Sequence, residues 1–377
     1  MATMRDVAEH AGVSLTTVSH VINGTRFVSE ELDARVRDAI AALNYQPDRR
    51  ARSLRRGRSE TIAVVISDVG NMFFSEIVRG VEDRVLESGY DVMLCNTGED
   101  PSVEERNLAM MVEQRVDGFV VAPTLEGVRT LEPLVSQETP LVVVDRPVAL
   151  PVDQVFSDNE RGGYEAASHL VELGHRRIGA IVEISGIRSF DDRIRGWRRG
   201  LADAGIEVRD GDVRQAGLEI EGAEMATKAL LSTPDRVTAI FSSNNLMTLG
   251  ILRHLKTAGL RYPEDVSLVG FDDPPWASSF YPGITSVAQQ PFEMGYQAAD
   301  MLVRRIEGNP NPPEQVCLEC TLRVRESSAR VPQGAIDRRK TRCTSPSGSR
   351  GGDRSAGRGE TRPGNKERTR TKTKDDA

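Results

Sequence analysis

Residues 4–23 read Met4-Arg-Asp-Val-Ala-Glu-His-Ala-Gly-Val-Ser-Leu-Thr-Thr-Val-Ser-His-Val-Ile-Asn23. Val7, Ala8 and Ala11 form an apolar stripe at helical spacing. Gly12 supplies the positive φ of a tight turn, and Ser14 is placed to cap a second helix running through Ile22. On that helix Val18, Val21 and Ile22 share one face, while Leu15, Thr16, Ser19 and His20 share the opposite one. Ser29 is expected to cap a third helix, with Glu30 and Glu31 favourably placed at its N-terminus. Its stripe is Leu32, Val36, Ile40 and Leu43, and Asn44 with Pro47 ends it.

A helix, a glycine turn and a second helix with a polar outer face make a helix-turn-helix, an arrangement that lays the second helix in a DNA major groove. Thr16 and His20 lie one turn apart and suit base edges, and Leu15 suits a thymine methyl. Thr17, Ser19 and Asn23 are short polar groups of the kind that set register on phosphates, and Ser14 at the helix start is a further DNA-binding candidate. The plainer reading is a small structural bundle with an incidentally polar face. Turn, cap and face segregation all agree with the DNA reading.

Charge is distributed in keeping with it. The 377 residues carry a formal charge of −7, but residues 1–60 hold 10 basic and 8 acidic side chains against 26 and 42 in residues 61–330. A polyanion would be met by the head and repelled by the body. Residues 48–58 contain six arginines, among them Arg55, with Ala51 and Leu54 between them. Such a short helix is marginal alone, and its like charges repel until phosphates neutralise them, so it is expected to order on DNA. The plainer alternative is an arginine-rich flexible linker.

From Glu60 onward short β-runs alternate with amphipathic helices. Strands are expected at 61–66, 91–95, 118–122, 141–145, 177–182, 238–242 and 266–271, and residues 315–324 alternate like one further strand. This pattern predicts parallel sheets built from βαβ units. Its punctuation near 155–160 and 285–290 predicts two lobes. Residues 331–377, with 13 basic and 6 acidic side chains and almost no large apolar residues, cannot bury enough surface to fold. No stretch approaches the roughly 20 apolar residues of a membrane span, and the start lacks the apolar core of a secretory signal. Four cysteines, at 95, 317, 320 and 343, do not make a disulfide framework in a chain this long. A cytoplasmic protein is expected.

The segments Asp6-Val-Ala, Ala11-Gly-Val-Ser, Thr17-Val-Ser-His-Val-Ile-Asn and Leu43-Asn-Tyr-Gln-Pro resemble the lactose/galactose-repressor family of bacterial transcription regulators. Residues 19–28 are most similar to its ribose-operon and purine repressors, and the likeness covers roughly residues 3–328. It implies a helix-turn-helix DNA-binding domain over 1–47, a hinge helix over 48–58, a two-lobed effector-binding and dimerisation core over 59–330, and a basic tail over 331–377. The fold class implied is an all-α helix-turn-helix head plus a periplasmic-binding-protein-like α/β core of two doubly wound parallel-sheet lobes. It also implies that Ala51 and Leu54 face the minor groove, where two dimer-related leucines wedge a base step apart.

In such a core ligands sit at the C-terminal ends of strands. The resemblance assigns effector binding to Phe73, Phe74, Asp145, Arg146, Arg193, Asn244, Asp272 and Gln289, with Asp158, Arg188 and Ser189 as secondary candidates. Two aromatics with this polar set resemble what ribose binders place around a pentose, and Arg146 stands where the purine branch has an aromatic residue. Two positions depart from the pattern. Ala122 replaces the asparagine of the ribose binders, and Asn245 replaces the usual aspartate.

Other chemistry finds no footing. Cys317-Leu-Glu-Cys320 lacks a second Cys/His pair for zinc, and residues three apart on a strand face opposite ways. No phosphate loop or activated-nucleophile motif is present, so no enzyme and no cofactor is expected. The reading is a homodimeric repressor that binds double-stranded operator DNA and is released by a pentose or another sugar. The alternatives are a corepressor-dependent purine-type repressor, a ligand-insensitive regulator, and a soluble sugar-binding receptor.

Overall fold

The computed structural model describes residues 2–24, 26–45, 58–233 and 235–331. At the N-terminus α1 (Met4–Ala11), α2 (Leu15–Asn23) and α3 (Glu30–Ala42) enclose a small core of Val7, Ala8, Ala11, Val18, Val36, Ala39 and Tyr45. Thr3 and Asp6 form a capping box at α1: the Thr3 amide donates to the Asp6 carboxylate at 2.7 Å and the Asp6 amide to the Thr3 hydroxyl at 3.3 Å. Gly12 ends α1 at φ 64°. Ser29 holds the N-cap position of α3, yet its side chain makes no capping bond. The first-turn acids Glu30, Glu31 and Asp33 complement the exposed amides there instead. Leu32, expected on the buried stripe, does not join this core, and Ala39 does. Residues 46–57, which include nearly all of the expected hinge helix with Ala51, Leu54 and Arg55, and residues 332–377 of the basic tail lie outside the described residues.

From Thr61 the expected alternation follows. The first run comprises β1 (Thr61–Ile66), α4 (Met72–Glu87), β2 (Asp91–Asn96), α5 (Pro101–Glu113), β3 (Gly118–Val121), α6 (Gly127–Ser136), β4 (Leu141–Val144) and β5 (Asp153–Ser157). The second begins with α7 (Asn159–Glu172), β6 (Ile178–Val182), α8 (Arg188–Asp203), β7 (Val213–Gln215) and α9 (Ile220–Leu231). It continues with β8 (Ala239–Ser242), α10 (Asn245–Ala258), β9 (Ser267–Phe271), α11 (Pro275–Ser279) and β10 (Thr285–Ala288). The chain closes with α12 (Pro291–Ile306), β11 (Gln315–Leu318) and β12 (Thr321–Arg323).

These strands make two six-stranded sheets, ordered β11-β5-β4-β3-β1-β2 and β12-β10-β9-β8-β6-β7. Every pairing is parallel except β10 with β12. Apolar clusters cover both faces of each sheet, which is why central strands such as Leu141–Val144 are buried along their whole length. The two orders correspond position for position, so β4 in the first lobe stands where β9 stands in the second.

The chain passes between lobes three times: after β5, after β10, and between β11 and β12. The last passage corrects the expectation of one strand over 315–324. The backbone leaves the first sheet after Leu318, where β11 pairs with β5, and joins the second sheet at Thr321, antiparallel to β10. Side-chain alternation continues across the break, so periodicity alone does not reveal it. The Asp158 amide donates to the Leu318 carbonyl at 2.8 Å, tying the first passage to the third. Among the described residues no helix is long and apolar enough to cross a membrane.

In each lobe two helices meet through glycines at backbone distance. A methyl group on Gly80 of α4 would overlap the carbonyl oxygen of Phe292 in α12, and one on Gly295 would overlap that of Ile77. Gly163 of α7 and Gly196 of α8 stand in the same relation to the carbonyls of Arg193 and Glu160. Backbone atoms on both sides leave nothing flexible to give way. Gly196→Ala should therefore destabilise the protein by about 1–3 kcal/mol through overpacking, measured as a lower urea midpoint. An unchanged midpoint would mean that α7 and α8 separate without cost.

Candidate functional site

In the head, α2 begins with the Ser14 hydroxyl accepting the Thr17 amide at 3.1 Å. Leu15 and Thr16 are exposed beside it, and His20 is half-buried one turn on. Thr17, Ser19 and Asn23 are held locally. The Thr17 hydroxyl lies 2.8 Å from that of Ser14, and Asn23 Nδ2 donates to the Ser19 carbonyl at 2.7 Å and to its hydroxyl at 3.2 Å. These bonds fix the rotamers of the expected phosphate ligands. Arg35 of α3, absent from the sequence reading, donates to the Ala11 carbonyl at 2.5 Å and pins the turn between α1 and α2. The residue sits at an exposed position of α3, and only tertiary packing brings it to the turn.

In the core, a cavity of about 200 Å³ opens between the lobes at the C-terminal ends of both sheets. Phe73 and Phe74 reach it from the first turn of α4, Arg193 from α8, Asp145 and Arg146 from the end of β4, Asn244 from the end of β8, and Asp272 from the end of β9. Asp145 and Asp272 occupy corresponding positions in the two lobes, and both hold left-handed backbone, at φ 65° and 70°. Such conformations cost roughly 1–2 kcal/mol outside glycine and gather where a side chain must be aimed.

Gln289 is placed differently. It lines a neighbouring cavity of about 320 Å³ that shares Phe73 and Asp272 with the first, and its Nε2 donates to Asp272 Oδ1 at 2.7 Å. Between the two cavities Asn245 Nδ2 donates to Asn71 Oδ1 at 2.8 Å, a hydrogen bond that joins the lobes. The Asn245 amide also donates to Asp272 at 3.1 Å. The asparagine at 245 thus keeps a polar link across the cleft.

Each cleft residue is held by what surrounds it. Arg193 donates from Nε to Asn159 Oδ1 and from Nη1 to the Ser243 carbonyl, both at 2.8 Å, and lies 4.0 Å from the centre of the Phe271 ring. Asn244 spends its carboxamide oxygen on the Met247 amide as N-cap of α10. Arg146, a candidate effector ligand, already has both terminal nitrogens engaged: Nη1 and Nη2 donate to Glu99 at 2.6 and 2.5 Å, and Nη1 also to the Pro123 carbonyl at 3.0 Å. Asp158 does not line the cavity; it caps α7. Arg188 and Ser189 do not line it either, whereas the next residue, Phe190, does. Sequence reasoning missed Phe190, Glu99, Leu218 and Glu219. All lie in helix starts or loops after strands, where the chain's reach across the cleft is set by packing.

Residues 3–48 match the family model described as bacterial regulatory proteins, lacI family, and residues 167–328 match that of a periplasmic binding protein-like domain. The chain is 34% identical to the HTH-type transcriptional repressor PurR of Vibrio vulnificus (strain CMCP6), over 88% of this chain and all of that protein. Among solved structures, the transcriptional regulator CelR–cellobiose complex aligns with a TM-score of 0.66 at 34% identity, covering 87% of this chain and 100% of that one. A LacI family transcriptional regulator from Enterococcus faecium with bound ribose aligns with a TM-score of 0.66 at 30% identity, covering 72% and 100%.

A buried carboxyl stands behind the cleft wall. Glu183, after β6, is fully buried; one oxygen accepts from the Ser243 hydroxyl and the other, Oε1, has no hydrogen-bond partner among the described residues. Burial pushes its carboxyl above the ordinary 4.5, partly opposed by the Arg193 charge. The folded protein therefore holds this proton more tightly than the unfolded chain. The stability it contributes is full below about pH 4.5 and is lost as pH rises through the folded value. Glu183→Gln removes the ionisation while keeping an acceptor for Ser243. Thermal melts of the variant and the parent should coincide near pH 4.5 and diverge in the variant's favour towards pH 8; parallel curves would place the cost of burial elsewhere.

Proposed function

Because the chain belongs to the lacI family of bacterial regulatory proteins and is similar along most of its length to the HTH-type transcriptional repressor PurR, we propose that it represses a sugar-utilisation operon and is released by a neutral, ribose-like sugar. The observation that carries this reading is the cleft cavity. Two strand-end aspartates, Arg193 and Asn244 supply hydrogen-bonding groups of both kinds beside Phe73, Phe74 and Phe190, the chemistry a polyhydroxylated ring asks for.

The protein acts as a homodimer in the cytoplasm, each head reading one half-site of a near-palindrome about one helical turn apart. Exposed Leu86, Met93, Leu94 and Met110, on the edge strand β2 and its flanking helices, support a dimer surface on the first lobe. Leu15, Thr16 and His20 face base edges; Ser14, Thr17, Ser19 and Asn23 face phosphates; Ala51, Leu54 and Arg55 act from the hinge. Sugar binding closes the cleft and changes the spacing of the paired hinges. The effect on operator affinity is bounded by the sugar's differential affinity for the two states.

The likeness to PurR supports a second reading, in which a purine is a corepressor. Arg146 at the cleft wall, held between the rings of Phe74 and Phe190 at 5.7 and 5.4 Å, favours the sugar. It fills space a stacked base would take. Fluorescence anisotropy on a palindromic operator with a central C-G step discriminates the two. D-ribose should lower affinity and purine bases should leave it unchanged; tighter binding with a purine would establish the corepressor reading instead.

Two variants separate the machinery. Leu54→Ala should weaken operator binding at least tenfold, about 1.4 kcal/mol, with sugar affinity kept. Arg193→Ala should do the reverse, as read by isothermal titration with ribose. Equal loss of both activities in either variant would defeat the division of labour.

A further inference from the structure

Arg146 sits in the effector cleft with almost none of its surface exposed, and both terminal nitrogens of its guanidinium are occupied, while its Nε makes an ion-pair contact without a hydrogen bond. Besides the paired bonds to Glu99 and the bond to Pro123, its Nε stands 3.3 Å from the Asp145 carboxylate, and its faces meet Phe74 and Phe190. Glu99 is itself nearly buried, with 9% of its side chain exposed, and held at φ 62° in the turn after β2. A glutamate adopts that backbone at a cost, so the pairing with Arg146 must outweigh it. Burial alone would raise the Glu99 carboxyl; the charge and hydrogen bonds of Arg146, with a bond from Ser67, hold it below its ordinary value.

The rest of the cavity wall carries Asp68, Asp145, Glu219 and Asp272 against one further cation, Arg193. Burial raises the Asp145 carboxyl. Even with Asp145 neutral, four carboxylates face two guanidiniums, and one of those guanidiniums is spent. An anion entering the cleft meets repulsion and finds no free bidentate partner.

We propose that Glu99 is the specificity-determining residue for charge in this cleft: by occupying both arms of Arg146 it makes the site accept neutral polyhydroxylated molecules and exclude phosphorylated or carboxylated ones. This rests on the reading of the cleft as the effector site and adds the class of molecule the site rejects. Removal of the Glu99 carboxylate leaves Arg146 buried and cationic, with both terminal nitrogens lacking a carboxylate and only the Pro123 carbonyl and the Asp145 contact at Nε remaining, a state that favours capture of an anion.

The test uses the full chain and three variants, Glu99→Ala, Glu99→Gln and Glu99→Ala with Arg146→Ala. Each is titrated with inorganic phosphate at constant ionic strength and followed by thermal shift, then with D-ribose and D-ribose 5-phosphate by calorimetry. Phosphate that binds the head acts equally on all four proteins and cancels in the comparison. Glu99→Ala should bind phosphate at least tenfold more tightly than the parent, and the added Arg146→Ala should abolish the gain. If Glu99→Ala does not fold, Glu99→Gln is judged by the same criterion. A parent protein that binds ribose 5-phosphate at least as well as ribose overturns the proposal while leaving the sugar reading intact. So does a phosphate gain that survives loss of Arg146, or no gain at all. A parent that binds no sugar, with the Arg146-dependent gain present in the variant, upholds the charge filter and removes the ribose-like effector.

Discussion

The contact between α7 and α8, repeated between α4 and α12, sets the geometry on which the cleft depends. At Gly163 and Gly196 in one lobe, and at Gly80 and Gly295 in the other, each helix lies against its neighbour's carbonyl oxygens with no side chain between them. A helix pair joined through side chains can adjust by rotamer changes; a pair joined through backbone cannot. The two helices fixed in this way, α4 and α8, carry Phe73, Phe74, Phe190 and Arg193 in their first two turns. Gly163 abuts the carbonyl of Arg193 itself, so the packing that holds the lobe together also aims its cationic side chain. Each partner helix follows a passage of the chain between lobes, α7 after β5 and α12 after β10. The same elements that join the lobes therefore position their cleft-facing groups.

Electrostatics completes what packing begins. Asp145, Asp272 and Glu99 all hold left-handed backbone around the cleft, and each is stabilised by named partners: Arg146 for Asp145 and Glu99, and Gln289 with the Asn245 amide for Asp272. Strain of this kind persists only where the surroundings over-determine it. Glu183 and Glu99 show how neighbours decide the outcome of burial. Both lie out of water, but Glu183 gains one hydroxyl donor and a charge at a distance, whereas Glu99 gains a bidentate guanidinium. Burial prevails in the first and the partner in the second.

Much of the fold was legible from the chain. Val7, Ala8 and Ala11 lie on the stripe of the first helix and Val18 on the apolar face of the second, and all are buried in the head. The strands expected at 61–66 and 141–145 became fully paired parallel strands because apolar runs that short, between amphipathic helices, have few other ways to satisfy their backbone. Strands β5, β7 and β10 passed unread, since each is short and interrupted by polar residues such as Gln154, Arg214 and Ser286; Gln154 and Ser286 find their partners only in the assembled lobes. The strand-end aspartates were readable as candidates. That Arg146 is already occupied was not, because Glu99 lies 47 residues away.

The sequence by itself determined that a helix-turn-helix head precedes an α/β core, since helix period, capping residues and βα alternation are local properties written in neighbouring positions. It also marked the strand ends where ligand groups would gather, because chain direction in a parallel sheet puts every C-terminal end on one side. Tertiary structure alone decided three things: the split of residues 315–324 between two sheets, the position of Gln289 in a neighbouring cavity, and the pairing of Glu99 with Arg146. Each depends on distances between segments far apart in the chain. Those distances are set by helix packing and lobe closure, which no local pattern encodes.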